Sequence, residues 1–294
     1  MAEATGRGTA GGEIVLSQSS YGKSEIRLVK VKRETDRHEV WDLDVAVALE
    51  GDFEAAHVEG DNTELLATDT MRNTVYALAK DHLTGSIEDF GLVLVDHFLG
   101  AGPTVERVRI EITEFPWNRI EVNGRGHEHS FVRGAGERTA VVTGDEGDAR
   151  GVEAGIDNLL VMKTTKSGWE SFLRERFTTL PETNDRILAT MVTANWEYAD
   201  CTDLDFDRLW RGVRDRILTT FTDHYSPSVQ NTLYRIGRAV IEGFPEVQRI
   251  HLSFPNKHHI LYDLSRFGME NDNEIFYATS EPYGLIEGTV ERAG

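Results

Sequence analysis

Apolar and polar side chains alternate clearly near the start of the chain. Between residues 41 and 49 every second residue is large and apolar, and this period of two predicts a strand with one buried face. Residues 25–33 are rich in β-branched side chains and predict a strand paired with it. Further strands are predicted at residues 108–112, 127–132, 138–143, 159–164, 187–198, 251–254, 274–278 and 285–290.

Four segments carry apolar residues at helical spacing instead. The first helix is predicted to begin at Thr68 or Asp69, whose side chains could cap it, and to reach His82. Ser86 and Asp89 have the spacing of a capping box and predict the start of a second helix, which ends at Gly100. Two more amphipathic helices are predicted at residues 205–222 and 228–244.

The order of predicted elements repeats along the chain. Each half contains two strands, two helices and two strands, so a tandem duplication is the simplest account. The Gly- and Asp-rich stretch 144–151 is the best candidate for a linker. We therefore predict an α+β protein with a flexible tail at 1–12, a first ββααββ domain at 13–145 and a second at 151–294, each an antiparallel sheet with both helices on one face.

Two such sheets have edge strands, and edge strands must be covered or paired. Two tandem units would form one curved eight-stranded sheet, and pairing its edges with those of another subunit would close a β-barrel. The sequence therefore predicts an oligomer.

Charge and composition narrow the function classes. Fifty acidic residues against 31 basic ones give a formal net charge of −19, which disfavours nucleic acid and anionic membranes as partners. No apolar run reaches the ~18–20 residues that a membrane-spanning helix needs. The bases are 24 Arg and 7 Lys, which fits either a salt-rich cytoplasm or a GC-rich genome. The single Cys201 and the absence of a signal-peptide pattern predict a cytoplasmic protein without disulfides.

Familiar cofactor motifs are absent from the sequence. It contains no phosphate-binding loop, no dinucleotide fingerprint and no zinc-protease motif, so we expect no cofactor. His127 and His129 would lie on one side of a strand and could bind a metal ion, but no third ligand stands at a reliable spacing. We therefore expect no metal site.

Five separated motifs, taken together and in order, carry a family resemblance. They are YGK at 21–23, ATDT at 67–70, the stretch WESFLRERFTTLPETNDR at 169–186, SPSVQN at 226–231 and SFPNKHH at 253–259. In combination they resemble urate oxidase, the cofactor-free uricase family of the tunnelling fold (T-fold). The resemblance covers about residues 14–290.

The resemblance implies a role for each matched residue. Lys23, Thr68 and His258 match the catalytic Lys, Thr and His of the family. Trp169 departs from the pattern, because the family usually has a stacking Phe there; an indole still offers a π-face. The residues that the resemblance places around the substrate are Thr68, Asp69, Trp169, Leu180, Arg186, Val229, Gln230 and Asn256.

The implied chemistry suits these residue types. The planar fork of Arg186 matches adjacent anionic acceptors of a purine trione, and Gln230 offers both a donor and an acceptor. Oxidation of urate by O₂ without a cofactor needs an electron-rich substrate, so a urate proton must leave. A neutral Lys23 can act as the base, with the Thr68 hydroxyl and His258 relaying the proton. Asn256, together with Thr68, would hold dioxygen or water above the ring.

The function implied by the resemblance is therefore the oxidation of urate by O₂ and water to 5-hydroxyisourate and H₂O₂. It also implies a homotetramer, a dimer of barrel-forming dimers, with active sites at subunit interfaces. Two alternatives remain at this point: another purine- or pterin-binding T-fold enzyme, and a ligand-binding oligomer of the same fold without catalysis. T-fold cyclohydrolases need a Cys/His zinc site, which one cysteine far from the histidine motifs disfavours. The presence of Lys23, Thr68 and His258 disfavours a non-catalytic protein.

Overall fold

One eight-stranded antiparallel sheet organises the molecule. The computed structural model describes residues 14–147 and 149–293, so the predicted tail at 1–12 lies outside the described residues. The strand order in this sheet is β1-β2-β3-β6-β7-β8-β9-β12. The strands are β1 (Ser20–Lys32), β2 (Glu39–Gly51), β3 (Val105–Glu114), β4 (Trp117–Val122), β5 (Arg125–Arg133), β6 (Glu137–Asp145), β7 (Arg150–Lys163), β8 (Leu188–Tyr198), β9 (Val247–Pro255), β10 (His258–Leu261), β11 (Phe276–Thr279) and β12 (Leu285–Glu291).

Four helices cover one face of this sheet. They are α1 (Thr68–His82), α2 (Ile87–Leu99), α3 (Phe206–Thr222) and α4 (Val229–Gly243). The predicted capping box is confirmed, since the Ser86 side chain accepts a hydrogen bond from the Asp89 amide at 3.0 Å. The predicted cap of α1 was wrong: the N-cap is Ala67, which offers no side-chain acceptor, so neither Thr68 nor Asp69 caps this helix.

The predicted duplication is visible in the element order. Strands β1, β2, β3 and β6 with α1 and α2 form the first half, and β7, β8, β9 and β12 with α3 and α4 form the second. Lys30 in β1 donates to the carbonyl oxygens of Ala79 and Lys80 at the end of α1, at 2.9 and 2.8 Å. Lys163 in β7 donates to the carbonyl oxygen of Phe221 in the last turn of α3, at 3.4 Å, and to that of His224 just beyond the helix, at 3.0 Å. Each half therefore stabilises the negative end of its first helix with a strand lysine.

The connection between the halves is a tight hairpin. Residues 144–151 were predicted to be a linker, but Gly144 and Arg150 are paired across β6 and β7. The Asp145 side chain accepts hydrogen bonds from the amides of Gly147 and Ala149 and so stabilises the turn. The sheet is consequently continuous from one half to the other, and the division into two domains stays a prediction.

Two hairpins lie outside the eight-stranded sheet. Strands β4 and β5 pair with each other, as do β10 and β11, and each pair forms its own two-stranded sheet. The hairpins are inserted at matching positions, between the third and fourth strands of each half. No helix among the described residues is long and apolar enough to cross a membrane.

A buried cluster of charges joins the two halves beneath the sheet. Arg138 in β6 pairs with Glu88 in α2 at 2.6 Å and with Asp207 in α3 at 2.5 Å. The guanidinium also lies over the ring of Trp210, 5.3 Å from its centroid. Burial, with further contributions from Glu88 and Asp207, raises the pKa of Glu114 from 4.5 to about 7 against the attraction of Arg138. The positive charge of Arg138 therefore acts on three carboxyl groups, and burial raises the pKa of two of them, Glu88 and Glu114.

Glu114 should make the stability of the fold depend on pH. Its folded-state pKa lies above the unfolded value, so the folded chain holds a proton that the unfolded chain releases between pH 4.5 and about 7. The contribution of Glu114 to the free energy of unfolding is therefore largest below pH 4.5 and declines as the pH rises to about 7. We expect Glu114→Gln to remove this decline and to raise the free energy of unfolding at pH 8 by roughly 1–2 kcal/mol.

Denaturant unfolding at several pH values measures this effect. Glu106→Gln is the matched control, because Glu106 lies on the same strand and is exposed. An identical pH dependence in wild type and Glu114→Gln would contradict the assignment.

Candidate active site

Three of the predicted site residues lie at one end of strands β8 and β9. Arg186 precedes β8 by two residues, and Asn256 directly follows β9. Asn256 is buried and forms an isolated bridge with Thr190. The backbone amide of Asn256 donates a hydrogen bond to the carbonyl of Gly284 at 2.8 Å, and Gly284 directly precedes the edge strand β12. His258, two residues further on, begins β10.

A second set of contacts brings the loop after β7 to the start of α4. The amide of Gly168 donates to the carbonyl of Ser226, and the amide of Arg186 donates to the carbonyl of Ser167, both at 2.8 Å. Ser167 and Ser226 also form a parallel bridge. These bonds bring the loops that carry Trp169 and Arg186 to the segment preceding Val229 and Gln230, the first residues of α4.

Two polar atoms of the loop between β7 and β8 are buried without a hydrogen-bond partner among the described residues. They are Nε of Arg186 and Oγ of Ser167. Burial lowers the pKa of Arg186, opposed by Tyr225, but leaves the guanidinium positively charged. Buried polar groups in folded proteins are normally hydrogen-bonded, so two unpaired ones indicate a position that an external ligand would satisfy.

Aromatic rings form one wall of the same place. The Trp169 indole stacks on Phe172 with centroids 5.6 Å apart and an interplanar angle of 11°. The guanidinium carbon of Arg186 lies 5.9 Å from the Trp169 centroid. Leu180 lies on the loop between Trp169 and Arg186, and its side chain is 55% exposed.

His258 can accept a proton at neutral pH. Burial lowers its pKa, and the positive charges of Arg186 and His259 lower it further. The imidazole is therefore neutral at pH 7 and becomes protonated only below its ordinary value of 6.5. The influence of Arg186 indicates that these two predicted site residues share one electrostatic environment.

Lys23 is on the edge strand β1, and Thr68 begins α1, the helix that packs against this strand. Lys23 is opposite Val47, a core residue, so its side chain is on the helix-covered face. A bulge follows Lys23, with Glu25 at φ 57°, and it returns Ile26 to that same face. In the part of the chain that the structure describes, Lys23 makes no ion pair and no side-chain hydrogen bond.

The start of α1 presents free amide groups. The amides of Thr70 and Met71 donate to the carbonyl of Ala67, whereas those of Thr68 and Asp69 donate to no described residue. The Asp69 carboxylate is occupied by Arg72 at 2.6 Å. Asp69 can therefore offer its backbone N–H to an anion while its side chain stays on the helix surface.

One chain does not bring the two groups of residues together. Lys23 is on β1, and Arg186 leads into β8, five strands away in the sheet. At about 4.8 Å per strand spacing this separation is roughly 24 Å. Lys23 and Arg186 also lie at opposite ends of the sheet. Because the neighbouring strands are antiparallel, the start of β1, which carries Lys23, lies at the same end of the sheet as the last residues of β8, whereas Arg186 precedes the first residue of β8.

The structure adds residues that the sequence analysis missed. His224 Nδ1 donates to the Thr220 carbonyl at 2.7 Å, so its Nε2 faces the hydroxyl of Thr232 at 3.0 Å as an acceptor. Ser226 joins the same buried network. With Ser167, this network supports the start of α4. The side-chain bonds of the network lie within residues 220–232, and only the bridge between Ser226 and Ser167 joins it to a distant segment, a contact that no sequence motif indicates.

The histidine pair considered as a metal site lies on the β4–β5 hairpin. The rings of His127 and His129 are 4.6 Å apart, centroid to centroid. Among residues 14–147 and 149–293 no group of three or more His, Cys, Asp or Glu side chains is arranged to hold a metal ion.

Comparison with known proteins covers nearly the whole chain. The sequence model of the family described as Uricase matches residues 19–143 and 152–287. The chain is 46% identical to the uricase of Arthrobacter globiformis over 291 residues, 99% of this chain and 94% of the relative. It is 41% identical to the uricase of Dictyostelium discoideum over 281 residues, 95% and 98% of the two chains.

Solved structures agree with these matches. The crystal structure of the Arthrobacter globiformis uricase superposes with a TM-score of 0.91 at 48% identity and covers 96% of both chains. The urate oxidase of Bacillus sp. TB-90 superposes with a TM-score of 0.81 over 93% of this chain, and at 21% identity it shows the fold alone. The predicted tandem T-fold architecture is confirmed, and the chain belongs to the uricase family.

Proposed function

We propose that this protein is a urate oxidase that converts urate, O₂ and water to 5-hydroxyisourate and H₂O₂ without a cofactor. The observation that carries the proposal is the convergence of Arg186, Trp169, Asn256 and His258 around unpaired buried polar atoms, in a chain of the uricase family. A planar anion with polar edges satisfies both the guanidinium and the aromatic wall.

Each side chain has a role in binding this substrate. Arg186 presents its fork to one polar edge of urate, and Val229 and Gln230 bind the other edge through a backbone amide and a side-chain amide. Trp169 stacks on the purine face. Leu180 forms an apolar wall, and the free amide of Asp69 binds a further acceptor.

The proposed reaction begins with proton removal. Neutral Lys23 takes a urate proton through the Thr68 hydroxyl, and His258 completes the relay. The electron-rich anion then transfers an electron to O₂ held by Asn256 and Thr68. Recombination at C5 forms a hydroperoxide, from which water displaces H₂O₂ and leaves 5-hydroxyisourate. All atoms of urate, O₂ and water are thereby accounted for.

A complete site requires two chains in this proposal. Strands β1 and β12 are the two edges of the described sheet. Pairing β1 of one subunit with β12 of its partner would place Lys23 and Thr68 beside the partner strand that adjoins the Asn256 loop. We propose a barrel-forming dimer with two identical sites, two such dimers forming a homotetramer, in the cytoplasm.

The test of the proposed function is an assay on exhaustively chelated protein. The ultraviolet absorbance of urate should fall, with one O₂ consumed and one H₂O₂ released per urate. The same rate is expected with and without chelator. Complete loss with chelator and rescue by a single metal ion would contradict a cofactor-free reaction.

Arg186→Lys is expected to weaken binding of a xanthine analogue about tenfold to a hundredfold. An ammonium group retains the charge but cannot donate two parallel hydrogen bonds from a fixed plane. Calorimetric titration of the analogue measures the change. Arg174→Lys is the matched control, because Arg174 is on the same loop, half-exposed, and 3.9 Å from Glu182. Unchanged affinity in Arg186→Lys would refute the clamp.

A further inference from the structure

Tyr21 connects the strand that carries Lys23 with the loop that leads to Thr68. Its phenol oxygen accepts a hydrogen bond from the amide of Leu66 at 2.9 Å. Tyr21 is two residues before Lys23, and Leu66 is two residues before Thr68. One bond therefore joins the two segments next to both proposed proton-transfer residues, although they are 45 positions apart in sequence.

The phenol ring itself is held on two sides. Tyr21 is opposite Leu49 in β2 and shares the helix-covered face with Lys23, since residues two apart on a strand point the same way. The ring meets Phe53 edge to face, with centroids 4.8 Å apart and planes at 88°. The hydroxyl oxygen is thus presented to Leu66 in a fixed position.

The backbone between Tyr21 and Lys23 has little freedom to shift. At Gly22 a Cβ atom would lie 1.9 Å from the carbonyl oxygen of Val47, so β1 approaches β2 more closely than any other residue would allow. The start of α1 depends on a different kind of support. Its N-cap, Ala67, has no side-chain acceptor, so the helix start is not fixed by a cap of its own.

We propose that Tyr21 is a positioning residue that sets the distance between the Lys23 amine and the Thr68 hydroxyl. This inference rests on the proposed function, because it concerns the same proton relay. A displacement of about 1 Å between reacting groups can cost a hundredfold in rate. The phenol stays protonated, since burial raises the pKa of Tyr21 against the opposing bond from Leu66. It acts through its position and takes no part in proton transfer.

The chain contains a matched control for this bond. Tyr76 in α1 donates its hydroxyl to the carbonyl of Arg27 in β1 at 2.9 Å. Both bonds join a tyrosine hydroxyl to a backbone atom between β1 and the α1 region. Tyr21→Phe and Tyr76→Phe therefore each remove one such bond and keep the ring, but only the first adjoins Lys23 and Thr68.

Steady-state kinetics on urate with the two full-length variants tests the inference. Tyr21→Phe is expected to lower kcat about tenfold to a hundredfold with KM within about twofold of wild type, because substrate contacts remain. Tyr76→Phe should leave both constants within about twofold. Thermal unfolding and size-exclusion chromatography of both variants should show comparable stability and unchanged assembly.

Hydrogen exchange at the Leu66 amide gives a second measurement in the same variants. Exchange should accelerate in Tyr21→Phe and not in Tyr76→Phe. An active wild type with unchanged kcat in Tyr21→Phe, or an equal loss of kcat in both variants, overturns this inference alone. A folded wild type that does not consume urate overturns the proposed function instead.

Discussion

Replacing Lys23 by alanine is expected to lower kcat for urate by about a hundredfold to ten-thousandfold, the usual contribution of a positioned general base. Affinity for a substrate analogue should change little, because the proposed binding contacts come from Arg186 and Gln230. Lys23 is half-buried on the helix-covered face and makes no ion pair among the described residues, which leaves its amine available to act. Single-turnover kinetics and analogue binding separate the two effects.

Two further variants sharpen this result. Thr68→Ala should resemble Lys23→Ala, whereas Thr68→Ser retains a hydroxyl and should keep much of the rate. Lys32→Ala is the control on the same strand, since Lys32 pairs with Glu34 at 3.4 Å and lies at the other end of β1 from Lys23. A Lys23→Ala variant with a raised KM and an unchanged kcat would make Lys23 a binding residue.

Much of the fold could be predicted because its signals are local. Alternation over 41–49 lies within β2, and helices α3 and α4 begin one residue after the predicted starts, at N-caps Asp205 and Ser228. A stripe of apolar residues or a capping side chain indicates the secondary structure of the residues within a few positions of it.

Strand β7 shows where local reasoning failed. Only its last part was predicted, at 159–164, although the strand begins at Arg150. Asn158 has φ 56°, and the pairing with β8 shifts between Ile156 and Leu159. The bulge changes which residues face the core and so hides the alternation. The bulge after Lys23 has the same effect in β1.

The candidate site shows the same contrast between what the sequence indicates and what only the fold reveals. Its residues were predicted from the combination of motifs, and the structure brings Arg186, Asn256 and His258 of the second half to one end of the sheet. The contacts that gather them, such as Gly168 to Ser226 and Arg186 to Ser167, join backbone atoms of separate segments. Backbone bonds of this kind leave no mark in residue type, so only coordinates reveal them.

The second large effect expected is the recovery of activity by mixing two inactive proteins. The roughly 24 Å between the strands of Lys23 and Arg186 within one chain is too far for one urate molecule to contact both. If each site combines Lys23 of one chain with Arg186 of its partner, a dimer of one Lys23→Ala chain and one Arg186→Ala chain has unequal sites. One site carries both substitutions, and the other carries neither.

Each homo-oligomer, in contrast, has a single substitution in every site. Random co-refolding makes half of the dimers mixed, and each mixed dimer keeps one intact site of two. We therefore expect about a quarter of the wild-type activity from an equimolar mixture of two nearly inactive variants. The recovered sites should have the wild-type KM, because their side chains are unaltered.

Urate turnover by co-refolded Lys23→Ala and Arg186→Ala chains is the most direct test of an active site built from two chains. Different affinity tags on the two variants allow mixed oligomers to be isolated and subunit mixing to be verified before the assay. We expect activity far above either parent, approaching a quarter of wild type in the unfractionated mixture. Activity no higher than the mean of the two parents, in verified mixed oligomers, would place the whole site within one chain and contradict the account.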